Sequence, residues 1–343
     1  MREDFGTFLE EFKSGLGLKH QRGLLKPSTF RRAVSLIDVH LLPSFGRWDC
    51  RDWDDAGKSA KALRDFVDAR LGLKLAPRTI LRALQILCQV HEQARDEGLI
   101  HAPKLSERVK KFRLNQPVVE KRPFTQEEAN LLLRTAYERA ERDPRVLPYA
   151  LMFLTHFLAG MRIGEVAALE NSDLDFEGRR IRVNKSVDWG TLTDVGPKTD
   201  RGDRWAPMSP QLADALRRPR WWQGGSPMIF VDGKRGGYRH YNSINHVFHR
   251  LRARAGLPRE LTPHCLRHAH VTLRLEAGEN LWRVSHDVGH SSTQVTDAIY
   301  ARTARPKGVS DKAAVLDAPR LTNFLDKHPG FLVEVQDQLG TDA

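Results

Sequence analysis

Residues 146–165 read VLPYALMFLTHFLAGMRIGE, and their order decides the fold. From 146 to 159 almost every side chain is apolar, too uniformly for a surface helix, so the run is expected to be a helix buried on all sides. Gly160 ends it, and Arg162 and Glu165 follow at once. Beyond Ser172-Asp173-Leu174-Asp175 the period changes. Ile181 and Val183 alternate with Arg180 and Arg182, as in a strand with one face on a core. The stretch 180–208 predicts two or three short strands joined by turns around Gly190 and around 200–203. Helical patterns are expected from about Pro210 to the end. The class is therefore mostly α with a small antiparallel sheet (α+β).

Upstream of that helix, Thr125 and Glu128 form a capping-box pattern that opens another one. Before it, 114–124 (LNQPVVEKRPF) holds two prolines and no helical period, and is expected to be a linker. The first third, 1–113, predicts about four helices. Phe5, Phe8, Leu9 and Phe12 share one face of the first. Phe30, Val34, Ile37 and Leu41 share a face of the second, which Pro43 is expected to stop. Leu63, Phe66 and Val67 mark the third. Ile80, Leu84, Leu87 and Ala94 mark the fourth, which Gly98 caps. Arg31 and Arg32 lie off the apolar stripe of the second helix. Arg78 and Arg82 share a face of the fourth, where they could touch phosphate.

The chain of 343 residues suits two domains, and its formal charge of +12 suits a polyanionic partner, usually nucleic acid. The basic residues are spread along the chain, which fits folded basic faces better than a disordered arm. Cys50, Cys88 and Cys265 are far apart and odd in number, so neither a disulfide framework nor a zinc finger is expected. The acidic, amphipathic start is unlike a signal peptide, and no apolar run approaches the ~20 residues of a membrane span. A cytoplasmic, nucleoid-associated protein with no membrane contact is the expectation.

Four elements carry chemistry. Arg162 presents a planar fork suited to two phosphate oxygens, with Glu165 three residues on to orient it; a structural ion pair is the equal alternative. His264 and Arg267, in Thr262-Pro263-His264-Cys265-Leu266-Arg267-His268-Ala269-His270, share a helix face. They pair a proton carrier with a charge stabiliser. Val288-Gly289-His290-Ser291-Ser292 is followed by Tyr300, ten residues after His290. Lys198, in Pro197-Lys198-Thr199-Asp200, sits in the expected hairpin.

In that order, G-x-R-x-x-E around 162, H-x-x-R at 264–267, G-H-S-S at 289–292 and the following tyrosine resemble the tyrosine recombinases, or phage integrase family. K-P-S-T-F at 26–30, L-L-P-S-F-G at 41–46 and P-R-T-I at 77–80 resemble the family's helical core-binding (SAM-like) domain, so the resemblance spans roughly 3 to 325. It implies a core DNA-binding domain at 1–113, a catalytic domain at 125–325, and a tail at 326–343 able to pack on a neighbouring subunit. It implies that Tyr300 attacks the scissile phosphate and forms a 3′-phosphotyrosine. Arg162 and Arg267 would clamp the non-bridging oxygens. His264 would assist proton transfer, His290 would bond the phosphate, and Lys198 would protonate the 5′-oxygen. Glu165 and His268 would support them. Arg31, Arg32, Arg78, Arg82, Lys121 and Arg122 would meet the DNA backbone. No cofactor is implied.

The implied partner is double-stranded DNA with specific recombination sites, held by a homotetramer on two sites that is monomeric when free, with an accessory excision or DNA-bending factor possible in the family. Integration or excision of a mobile element is the expected role, and chromosome or plasmid dimer resolution the alternative. Only about two dozen residues precede Pro27, so no arm-binding domain is expected ahead of the first. From another class, His264, His268 and His270 suggest zinc in a nuclease or hydrolase; Arg267 in their midst argues against it.

Overall fold

The computed structural model describes residues 4–112, 114, 122–196, 202–217, 227–232 and 236–289. The chain divides into two compact units, Met1–Val118 and Val119–Ala343, each around its own apolar core. The expected linker, 114–124, spans that division.

The first unit is helical: α1 (Phe5–Gln21), α2 (Pro27–Leu36), α3 (Leu42–Phe45), α4 (Ala56–Gly72), α5 (Pro77–Asp96) and the single turn α6 (Leu105–Val109). Asp4 caps α1, its carboxylate accepting from the Gly6 amide at 2.9 Å. Trp53 lies at the centre of the core, its ring centroid 5.0 Å from Phe5, 5.4 Å from Phe45 and 4.9 Å from Trp48. One expectation fails here. Pro43 does not stop the second helix, because a π-helical turn, Ile37–Leu41, carries the chain from α2 into α3. The Leu42 amide donates back to the Ile37 carbonyl, and this wider turn makes room for the proline ring, which would press on the Val39 carbonyl in a regular α-helix.

The second unit begins with α7 (Gln126–Arg142), α8 (Leu147–Leu158) and α9 (Ile163–Ala167). The Thr125–Glu128 capping box forms: the Thr125 amide donates to Glu128 at 3.0 Å and the Glu128 amide to Thr125 at 3.2 Å. α8 is buried on every side except at Tyr149. It ends at Gly160, whose φ of +62° and whose position against the His270 ring both exclude a Cβ.

The strands are β1 (Leu174–Asp175), β2 (Arg180–Val183), β3 (Ser186–Asp188), β4 (Thr193–Val195) and β5 (Arg204–Pro207). They form an antiparallel sheet in the order β1-β2-β5 and a separate β3–β4 hairpin. The stretch 180–208 thus holds four strands rather than two or three. β4 is too short and too exposed to show alternation in sequence. α10 (Pro210–Arg217), α11 (Tyr241–Arg254), α12 (Pro263–Glu276) and α13 (Leu281–Val288) follow. Helix is not continuous after Pro210: Met228 and Val231 form isolated antiparallel bridges to Glu170 and Tyr238 with a turn between them, and the Ile229 amide donates to the Leu169 carbonyl at 2.9 Å. Among the described residues, no helix is long and apolar enough to cross a membrane.

Candidate active site

The site is built where three segments distant in sequence meet. The first is the turn after α8. Gly160 reverses the chain, and Arg162 enters α9 with an extended backbone. Glu165, one turn on, accepts from the Arg162 amide at 2.8 Å and from its Nη1 at 2.7 Å. Arg162 keeps 46% of its side chain exposed, whereas Glu165 keeps 7%. The carboxylate is the buried anchor and the arginine the group presented outward.

The second segment is α12, which carries His264, Arg267 and His268. Arg267 is buried and donates Nη1 to the Gly160 carbonyl and Nη2 to the Val288 carbonyl, both at 2.7 Å. His264 is exposed on its outer side and meets the His268 ring edge-on, 4.5 Å between centroids. α12 is tied to the first segment by His156, fully buried in α8. Its Nδ1 lies 2.5 Å from the Met161 carbonyl and its Nε2 2.7 Å from the Pro263 carbonyl.

The third segment is the C-terminus of α13. Gly289 caps it in the left-handed region, φ +67°. Three successive carbonyls there, those of Asp287, Val288 and Gly289, accept from three arginines: Arg204 Nε at 2.8 Å, Arg267 Nη2 at 2.7 Å and Arg162 Nη2 at 2.9 Å. Cations at a helix C-terminus are favoured by its exposed carbonyls and its dipole. Arg204 also binds Glu165, Nη2 to Oε2 at 2.8 Å.

Three guanidiniums against one carboxylate leave two positive charges in a partly dry site, an arrangement that calls for an anion. Burial alone would raise the Glu165 carboxyl. Arg204, Arg162 and Arg267 outweigh it and hold it down at about 2. Burial, with Arg162 beside it, pulls Arg267 down to about 9, which leaves it charged at pH 7. Burial, the neighbouring histidines and both arginines lower His264. The ring is held at about 3 and is neutral at pH 7.

Of the residues singled out in sequence, the structure brings Arg162, Glu165, His264, Arg267 and His268 together. Lys198, His290, Tyr300 and Lys121, and the tail 326–343, lie outside the described residues. The zinc alternative does not hold: His270 follows His268 by two residues, about 200° around the helix. Its ring is buried under Gly160, with its Nε2 3.4 Å from Arg274 Nη1. Among the described residues no group of three His, Cys, Asp or Glu could hold a metal. Arg31, Arg32 and Arg78 are exposed on α2 and α5, and Arg82 is half-buried. Arg122 is not a free linker cation; both its terminal nitrogens bind Glu128, each at 2.6 Å.

Sequence reading missed Arg204 and His156. Nothing in the stretch 180–208 singled Arg204 out. In β5 it points inward with Ala206, and Trp205 points out beneath Arg180, whose guanidinium lies 4.2 Å from the ring centroid. A charged residue inside and a tryptophan outside is the reverse of what alternation suggests.

His270 gives a pH prediction. Burial, then Arg274 and Arg267, hold the ring down at about 3, against ~6.5 when unfolded. The unfolded chain therefore binds a proton that the folded one refuses. Stability is full above pH ~6.5 and falls as pH drops toward 3, by about 2 kcal/mol for this ring between pH 7 and 5. Urea unfolding at both pH values should show a shallower pH dependence for His270→Gln than for the parent. Equal slopes would refute the assignment.

The phage integrase family model matches residues 122–306. The chain is similar to the tyrosine recombinase XerC of Rhodospirillum centenum, 27% identical over 285 residues, covering 76% of this chain and 78% of that protein. It is 32% identical over 145 residues to the XerC of Corynebacterium efficiens, covering 41% of this chain and 42% of that one. In fold it is similar to the Tn1549 transposon integrase in complex with transposon right end DNA, TM-score 0.70 at 20% identity, over 93% of this chain and 99% of that one. It is also similar in fold to a lambda integrase dimer bound to a core site, TM-score 0.64 at 17% identity, over 89% and 99%.

Proposed function

Since the chain belongs to the phage integrase family and is a tyrosine-type site-specific DNA recombinase, we propose that it cuts and rejoins DNA through Tyr300, with Arg162 and Arg267 holding the scissile phosphate. The observation that carries this reading is the convergence of Arg267 and of Arg162, itself anchored by Glu165, on the turn at Val288–Gly289. That turn leads by one peptide bond into His290. The two uncompensated charges have no counter-anion among the described groups of the site, and a phosphodiester supplies one.

In the proposed reaction the Tyr300 oxygen attacks phosphorus and the bond to the 5′-oxygen breaks. Neutral His264 accepts the phenolic proton, Lys198 protonates the departing 5′-oxygen, and His290 hydrogen-bonds the phosphate. The phosphotyrosine retains the bond energy, so a 5′-hydroxyl reverses the step without nucleotide hydrolysis. We assign the first unit, with Arg31, Arg32, Arg78 and Arg82, to grip of the duplex backbone, and a tetramer on two sites to strand exchange. The finer role assigned is integration or excision of a mobile element, supported by the ten-residue spacing from His290 to Tyr300.

The test uses a nicked duplex carrying the site selected from a randomised library by covalent capture with this protein. The adduct should form in excess EDTA without nucleotide, because guanidinium and imidazole groups carry the charge stabilisation that a metal would otherwise supply. Loss of the adduct in EDTA, with recovery on adding zinc or magnesium, would sink the reading.

A further inference from the structure

We propose that Arg204 is a positioning residue of the recombination site: a buried guanidinium that locks Glu165, and through it Arg162, to the turn Asp287–Gly289. This inference rests on the reading of Arg162 as a phosphate ligand.

The hydrogen bonds divide labour between two arginines on one carboxylate. Arg162 is exposed, with donors available to a ligand. Arg204 keeps 2% of its side chain exposed, and its donors are spent inside the protein. Nη2 reaches Glu165 Oε2 at 2.8 Å, Nη1 lies 3.3 Å from Oε1, and Nε reaches the Asp287 carbonyl at 2.8 Å. An arginine so enclosed does not touch DNA, so its effect on the reaction runs through the groups it holds.

Two of those groups depend on it. Burial pushes the Glu165 carboxyl toward its neutral form, and Arg204 is the first among the charges that oppose this. A neutral Glu165 no longer offers Arg162 an ion pair. The α13 terminus is held as directly. A Cβ on Gly289 would lie 2.9 Å from Arg204 Cζ and Nη1, so the guanidinium is packed closely against the glycine that precedes His290. Lysine cannot reproduce this. Its single ammonium is a point charge, and spanning two carboxylate oxygens and a carbonyl on different elements needs the rigid fork.

The experiment measures covalent cleavage of the nicked duplex described above, non-covalent affinity for the same duplex, and thermal unfolding. The variants are Arg204→Lys, Arg204→Gln, Arg162→Lys and the double Arg162→Lys/Arg204→Lys. Arg204→Lys should bind DNA within about twofold of the parent. It should cleave on the order of 10- to 100-fold more slowly, the usual loss when an outer group that orients a charged ligand is removed. The double variant should cleave no more slowly than the worse single one, because both changes break the same unit. Arg204→Gln should also move the acid limb of the cleavage pH profile upward, as Glu165 loses its counter-charge. A packing role alone would not move that limb.

Parental cleavage by Arg204→Lys overturns the proposal, as does a double variant whose defect is the product of the two singles. If Arg204→Gln does not fold, the lysine cycle decides by itself. Parental cleavage by Arg162→Lys is a separate failure, that of the phosphate-site reading beneath the proposal.

Discussion

Tyr300→Phe should bind the selected duplex as tightly as the parent chain and form no covalent adduct with it. The phenyl ring preserves shape and apolar surface, and only the oxygen proposed to attack phosphorus is lost. A positioned arginine site can still bind the phosphate, but without a nucleophile there is no bond to form. Removing the nucleophile from a unit of interdependent groups costs far more than removing any helper, here at least about 10^4-fold in adduct formation. Denaturing electrophoresis of the end-labelled duplex, followed by peptide mapping, measures it. An adduct that persists in the variant and maps to another residue would falsify the role of Tyr300.

Arg267→Ala carries the second large effect, on two observables at once. Deleting a charged donor aimed at developing phosphate charge costs on the order of 10^2- to 10^3-fold in rate. Here the same guanidinium also satisfies the Gly160 and Val288 carbonyls. Leaving those acceptors without a partner in a buried site costs about 1–3 kcal/mol each, so the unfolding midpoint should drop as well. Arg267→Lys separates the two effects. It keeps a charge at the site but not the fork, so it should recover most of the stability and little of the cleavage. Parental cleavage by Arg267→Lys would remove Arg267 from the phosphate site and leave it a structural donor.

Much of the fold was legible because it is written at short range. The apolar run at 146–159 could only be a buried helix, and Thr125 with Glu128 could only open one. Pro43 was misread because sequence shows the missing amide and the bulky ring but not the π turn at Ile37–Leu41 that accommodates them. The alternation at Arg204 and Trp205 runs against hydropathy, with the arginine inside and the tryptophan outside. A tryptophan outside is tolerable only where Arg180 lies over its ring, and an arginine inside only where Glu165 waits for it. Neither partner is adjacent in sequence.

The sequence by itself determined the order and type of the candidate groups, the α+β class, and the pairing of Arg162 with Glu165, which lie three residues apart. Only the tertiary structure decided that Glu165 is shared with Arg204, that His156 bridges Met161 to Pro263, and that Arg162, Arg204 and Arg267 close on three consecutive carbonyls of α13. Helical spacing fixes which side chains are neighbours three or four residues apart. Arg162 and the Gly289 carbonyl are 127 residues apart, and Arg267 and the Gly160 carbonyl 107. At that distance no local geometry relates donor to acceptor. Their meeting is set by how α8 and α13 each pack against α12, and by the free-energy cost of leaving any of those carbonyls or guanidiniums buried without a partner.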